Sequence, residues 1–395
     1  MATDNNKPPQ LANVNNTCYL NSVLQSTNNL SILSQYLDDT YDTLKWDHGE
    51  QKKLLKSVAG ARRHMNNPLY EKTLQKKCHN VSESMRKITG TVDSQQDATE
   101  LLRNVFSQLE DLYSDNSNLS RLFNVYYDSS ITAPESGNRL NTRCSHHVWP
   151  IKIGTFSKDH APKNGSLPHL IYNAFSPEQI EYRDEQSGIT YSNAQKEDAI
   201  TQLPQYLSVQ ITPYTFTQEE EIQQLQGENP SGSLLQTPII IPEHLKFTRK
   251  ATDNIDTVTL PLISQNYGND KQITYRLNSA IIHQCSLFSQ HYWAYVRKGE
   301  DWYKCDDTNI EGPEEGVRTF PRIWTPLNGI FPYLVFYERI DNDDISNTAY
   351  QEDISVLHNT PQVQIKTRNT ASIKALWNQY KTPIIFGGLA ATATG

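Results

Sequence analysis

Nowhere in its 395 residues does the chain carry a run of about 18 apolar residues, so no helix of this sequence is expected to span a bilayer. Hydrophobic residues reach only 36%, and Met1 to Gln10 is polar and proline-bearing, without the apolar stretch of a secretory signal. Cysteine is scarce and odd in number: Cys18, Cys78, Cys144, Cys285 and Cys305 are widely spaced and form no CxxC pair. That fits a reducing compartment better than a disulfide framework. Basic charge is also short, with 36 Lys and Arg against 44 Asp and Glu and a formal charge of −8. An acidic excess of this kind argues against a duplex-binding footprint and is compatible with a basic partner. The expectation is a cytoplasmic or nuclear, monomeric protein with no cofactor and no membrane or nucleic-acid partner.

Against these absences stand abundant aromatics, 21 Tyr and 6 Trp among them, and a length that suits one large domain or two ordinary ones. The first third reads as helical. Ser31 is placed to cap a segment bearing Ile32, Leu33, Tyr36, Leu37 and Leu44. Another helix opens near Asp97, with Leu101, Leu102, Val105, Phe106, Leu109 and Leu112 on one face. From about Leu122 short β-branched and aromatic runs take over, and from Ile273 the predicted strands are long: 273–283, 291–297, 302–306 and 333–337. Helices first and antiparallel strands after make an α+β arrangement. The polar stretches 157–192, 218–233 and 246–256 read as loops or extended insertions.

The segment Thr17-Cys18-Tyr19-Leu20-Asn21-Ser22 places a lone cysteine in the first turn of a predicted helix, with Thr17 as N-cap and Leu20, Val23 and Leu24 as its apolar stripe. The positive helix end there favours thiolate over thiol. A base stands far downstream. Residues 291–307 read as a β-hairpin around a two-residue Gly299-Glu300 turn of type II′. That register pairs Lys298 with Asp301, Tyr295 with Lys304 and Trp293 with Asp306. It sets Asp306 on the face of His291, Cβ atoms roughly 7 Å apart, with Asp307 on the other. A three-residue turn would exchange the two aspartates. Cysteine, histidine and acid in that order suit a thiolate attacking a carbonyl.

These residues resemble the ubiquitin-specific protease family of deubiquitinases, within the papain-like superfamily. Leu11 to Gln25 resembles the family's cysteine box G-L-x-N-x-G-N-T-C-Y-x-N-S-x-L-Q, and Gln95 to Leu102 its Q-Q-D-A segment. His291 to Asp307 is similar to the histidine box. Tyr275, Leu277 and His283, Leu203 to Leu207, and Tyr333 to Tyr337 echo further strands. The resemblance implies a papain-like fold of helical thumb, antiparallel β palm and β fingers, and cleavage after the C-terminal glycine of ubiquitin. It implies Cys18 as nucleophile, His291 as base, Asp306 as its orienting carboxylate and Asn13 as oxyanion donor. Gln96, Asp97, Glu100 and Tyr292 would meet the ubiquitin tail, and the partners would be ubiquitin and ubiquitinated proteins. The predicted boundaries are a catalytic domain over 1–340 (thumb about 10–120, fingers and part of the palm about 121–270, palm about 271–340) and a polar tail over 341–395, partly disordered, with a short helix near Ile373 to Tyr380.

Some positions depart from the family pattern. Asn15 and Gln290 replace glycines, and asparagine is the side chain that best tolerates a positive φ at the first. Gln290 keeps open the alternative of a catalytically weak or inactive ubiquitin-binding scaffold, and a protease for a ubiquitin-like modifier is the other. No four zinc ligands assemble around Cys144, His146 and His147, so the fingers are expected to hold no metal.

Overall fold

The computed structural model describes residues 7–340 except 15, 44–48, 66–69, 91–95, 114–118, 135–136, 153–164, 185–186, 213, 216–232, 235–237, 249–256, 260–271, 286–289 and 326–328. Asn15, Leu44, Gln95 and the predicted helix near Ile373 therefore lie outside the described residues.

Six helices come first: α1 (Cys18–Asn28), α2 (Ser31–Thr43), α3 (Glu50–His64), α4 (Glu71–Thr89), α5 (Ala98–Tyr113) and the short α6 (Leu119–Phe123). Strands follow as β1 (Val125–Ala133), β2 (Asn138–His146), β3 (Trp149–Lys152) and β4 (Gly165–Ser166). After α7 (Leu167–Ala174) come β5 (Glu178–Arg183), β6 (Thr190–Gln202), β7 (Tyr206–Thr212), β8 (Tyr214–Thr215), β9 (Ser233–Leu234) and β10 (Ile239–Ile240). The chain ends its described part with β11 (His244–Thr248), β12 (Thr257–Thr259), β13 (Ile273–Cys285), β14 (Gln290–Lys298), β15 (Asp301–Asp306), β16 (Asn309–Glu311), β17 (Ile323–Trp324) and β18 (Ile330–Arg339). Among the described residues no helix is long and apolar enough to cross a membrane.

The central sheet runs β16-β15-β14-β13-β18-β7-β3, with β11 and β12 attached beside β13. Its strands are mostly antiparallel, and one apolar core joins it to the helical lobe. A second sheet, β2-β1-β6-β5, carries alternating exposed positions and only a small cluster of its own around Ala133, Tyr191 and Ala194. This is an α+β fold, as the order of elements implies.

Helix α1 is the hinge between the two layers. It is buried from Cys18 to Thr27, so its polar residues must find partners within the protein. Ser22 and Thr27 do so by donating back to the carbonyls of Cys18 and Val23, at 2.8 and 2.7 Å. The Ser279 hydroxyl reaches the Ser26 carbonyl at 3.4 Å, which places α1 on the sheet face shared by Ser279 and its partner Val296.

Several expectations need correction. Thr17 occupies the N-cap position, but its hydroxyl accepts from Val14 N at 3.0 Å and caps nothing in the helix. Ser31 is the first residue of α2, not its cap. Residues 157–192 include α7, β5 and the start of β6, and 246–248 belong to β11, so neither stretch is merely loop. Helix α7 buries Leu167, Pro168, Leu170 and Ile171. In the hairpin, Lys298 pairs with Asp301 and Tyr295 with Lys304 as expected, but the ladder stops at Ala294 and Cys305, one pair short of Trp293 and Asp306. Gly299 has φ +64 and Glu300 does not share it, consistent with the type II′ turn.

Candidate active site

Three segments meet at one end of α1. Residues 11–14, 16 and 17 lead into Cys18, the hairpin β14–β15 brings His291 and Asp306, and the first residue beyond β15 is Asp307. Cys18 is buried, at 2% exposure, and opens the helix. The backbone N–H groups of a first helical turn have no intrahelical carbonyl to bond, so this end of α1 presents donors and positive potential.

His291 Nε2 donates to Asp306 Oδ1 at 2.7 Å, and the ring also hydrogen-bonds the Cys18 thiol. The bond to Asp306, then that to Cys18, outweigh burial and push the imidazole up to about 10. The same bond holds the Asp306 carboxyl below its usual range, with Lys304 adding a weaker attraction. Thiol, imidazole and carboxylate therefore form one continuous hydrogen-bonded chain, a geometry able to generate a thiolate beside an imidazolium.

Asp307 does a different job. It has φ 54, a conformation that turns its carboxylate away from the strand, and Oδ2 accepts from Asn13 Nδ2 at 2.9 Å while Oδ1 accepts from Asn21 Nδ2 at 2.8 Å. Its carbonyl accepts from Leu11 N at 3.1 Å, and Asn21 Nδ2 also reaches the Ala12 carbonyl at 3.2 Å. Burial raises the Asp307 carboxyl, with the two amide donors working against it. The cysteine loop, α1 and the hairpin are thus pinned at one carboxylate. Asn13 in turn accepts from Thr17 N at 2.9 Å, so both ends of its amide are engaged while one Nδ2 hydrogen remains for another acceptor.

Asn21 carried no assignment from the sequence, although it lies one helical turn after Cys18 and on its side. His291, Asp306 and Asp307 are also a trio of potential metal ligands, with atoms within 4.8 Å of one another. Nε2 of His291 already donates to Asp306, and both Asp307 oxygens accept amide protons, so the donor set is committed to holding protons.

The remaining predicted residues sit nearby in a second group. Asp97 Oδ1 accepts from Glu100 N at 2.9 Å, capping α5, and its Oδ2 accepts from the Tyr333 hydroxyl at 2.6 Å. Gln96 is buried, its Oε1 accepting from Thr89 at 3.1 Å, and Glu100 is half-buried in the first turn of α5. Tyr292 is 2% exposed, its ring stacked on His283 with centroids 4.3 Å apart, beside Tyr333. Among the described residues His283 has no hydrogen-bond partner on either nitrogen, and burial, with His291 adding repulsion, pushes it down to about 3. Gln290 is half-buried and opens β14 opposite Cys285. Asn16, next to the undescribed Asn15, takes φ 63.

At the root of the second sheet His146 Nε2 lies 3.0 Å from the Tyr127 hydroxyl, and His147 stands against Glu110 at 2.9 Å and stacks on Phe106. Cys144 is half-buried and free.

Among known proteins, the profile of the ubiquitin carboxyl-terminal hydrolase family matches residues 10–337. The backbone is similar to that of the SAGA Ubp8/Sgf11/Sus1/Sgf73 DUB module bound to ubiquitin aldehyde, with TM-score 0.60 and 19% identity over 87% of this chain and 72% of the other. A form of the module with a variant Ubp8, bound to monoubiquitin, gives 0.60 and 18% over 87% and 71%. The yeast SAGA DUB module with an Sgf73 mutant gives 0.59 and 17% over 86% and 71%. At such identities the likeness concerns the fold. No match emerges among curated protein sequences.

Proposed function

The chain belongs to the ubiquitin carboxyl-terminal hydrolase family, and from that premise we propose that it hydrolyses the peptide or isopeptide bond following the C-terminal glycine of ubiquitin through Cys18, His291 and Asp306. The helical lobe, the central sheet and the β2-β1-β6-β5 sheet are its thumb, palm and fingers. We assign residues 1–340 to the catalytic domain and 341–395 to a separate tail.

The observation that carries this reading is the unbroken hydrogen-bonded chain from the Cys18 thiol through His291 to Asp306. His291 takes the thiol proton, and the thiolate attacks the glycine carbonyl carbon. The carbonyl π electrons move to oxygen, which is met by the free Nδ2 hydrogen of Asn13 and the N–H at the start of α1. When the tetrahedral adduct collapses, His291 returns its proton to the leaving lysine amine. Water then hydrolyses the thioester with the same ring as base, releasing the glycine carboxylate and Cys18. Asp306 keeps the ring oriented and stabilises its charge throughout. Asp307 acts through others, holding Asn13 where the oxyanion forms. In the substrate tail, Asp97 and Glu100 would meet basic residues and Tyr292 and Gln96 the Gly-Gly segment. Asp97 must share or exchange its bond to Tyr333 to do so.

Ubiquitin bearing a C-terminal electrophile tests the proposal. Wild type should be labelled at Cys18 and Cys18→Ala should not, while labelling by a ubiquitin-like modifier but not ubiquitin would reassign the substrate. Binding of ubiquitin without any labelling would indicate a scaffold.

A further inference from the structure

The chain as a whole is acidic, but the acidity is not spread evenly. Helix α3 carries five Lys and Arg against one Glu, and α4 five against two, giving the pair a formal charge of +7 within a chain of −8. Its glutamates are partly spent, Glu50 on Lys53 and Lys87 and Glu83 on Lys87. Among the described residues no carboxylate pairs with Lys52, Lys72 or Lys76. Lys72 and Lys76, one helical turn apart, are exposed.

Three cations also converge on one ring. Lys56 Nζ, Lys77 Nζ and the Arg63 guanidinium lie 5.7, 5.2 and 5.2 Å from the centre of Tyr41, the two lysines only 8% exposed. Gly60 permits this, since a Cβ there would come within 2.7 Å of the Tyr41 ring and 3.0 Å of Lys77. From Tyr41 an edge-to-face ladder runs outward through His64, at 5.9 Å, to Tyr70, at a further 5.0 Å. His64 is fixed in that ladder by Nδ1 donating to the Gly60 carbonyl at 2.6 Å. Tyr70 ends it at the surface, 47% exposed, immediately before the lysines of α4.

A surface that joins unpaired cations to a braced, exposed aromatic ring matches the chemistry of an unpaired polynucleotide, whose phosphates want charge and whose bases want a stacking platform. We propose that the α3–α4 hairpin binds single-stranded nucleic acid, phosphates along Lys72 and Lys76 and a base on Tyr70. An acidic protein segment would satisfy the charge but leave the aromatic ladder without purpose. The site shares no residue with the Cys18 centre, so it supplies a place of action or a tether rather than a step of the reaction. It also departs from the whole-chain charge, which averages this hairpin away.

Fluorescence anisotropy on the intact chain with a labelled oligo-uridine of about 12 nucleotides, at about 50 mM salt, tests this. Saturable binding that weakens steeply with salt is expected. Lys72→Ala with Lys76→Ala should weaken it at least about 10-fold and flatten the log–log salt slope by roughly 1.4. Tyr70→Ala should weaken it about 5- to 10-fold with the slope unchanged, the signature of a lost stacking contact. Cleavage of a ubiquitin C-terminal fluorogenic amide should be unaltered in both variants, which separates this inference from the hydrolase reading. No saturable binding, binding indifferent to these variants, or equal competition by an oligo-glutamate peptide would overturn it.

Discussion

The seam between α1 and the β14–β15 hairpin and the root of the β2-β1-β6-β5 sheet both shelter histidines, and they treat the ring in opposite ways. At the seam His291 is half-buried yet pushed up to about 10, because a carboxylate and a thiol hold its charged form. At the root His146 has the Tyr127 hydroxyl as neighbour and is pushed down to about 4, burial first and then repulsion from Arg103 and His147. The same side chain is held charged in one place and neutral in the other. Burial alone does not decide which; the sign of the partner does.

The largest test of that contrast exchanges the rings. His291→Ala should lower turnover of a ubiquitin C-terminal amide by at least about 10³-fold, as removal of a triad base does. His146→Phe, which keeps the stack on Tyr127, should leave turnover within about 2-fold of wild type. Comparable losses from both would mean that the root of the fingers takes part in catalysis.

A smaller effect separates the two aspartates. Asp306→Ala should cost about 10²- to 10⁴-fold in kcat, and it should also move the alkaline limb of the pH profile down from near pH 10, since the bond that raises His291 is gone. Asp307→Ala should cost about 10-fold, through loosened Asn13 and Asn21, with the alkaline limb in place. A shifted limb in the Asp307 variant and none in the Asp306 variant would reverse their roles.

The seam was the more legible region for a physical reason. A two-residue hairpin with glycine at its first turn position leaves only one register, and alternation then fixes which aspartate faces His291. The helix start at Cys18 follows from the apolar stripe behind it. What escaped the sequence depends on contacts between distant segments or on composition. The clamp at Asp307 joins Asn13 and Asn21 across almost 300 residues, and nothing local to any of the three announces it. Helices α3 and α4 have periodic apolar positions diluted by lysine and arginine, which masks their buried faces. The short α7 lies inside a polar stretch, and its buried Leu167, Leu170 and Ile171 make only a single helical repeat.

The smallest effect is on stability, and its sign differs between the two regions. His146 has a folded value of about 4 against an ordinary 6.5, so between those limits the unfolded chain binds the proton that the folded one refuses. Stability must therefore fall as pH drops from about 6.5 toward 4, and His283, pushed to about 3, extends the same slope. His291 runs the other way: its contribution is whole below about 6.5 and is lost as pH rises toward 10. Asp306, held low, stabilises above the ordinary carboxylate range and loses that contribution only on strong acidification. Melting temperature measured from pH 4 to 10 should accordingly decline at both ends. His146→Phe should flatten the acid side by a few degrees and leave the alkaline side alone, whereas His291→Ala should flatten the alkaline side. If His146→Phe left the acid slope untouched, the ring at the root would have to be charged in the folded protein, and the contrast between the two regions would collapse.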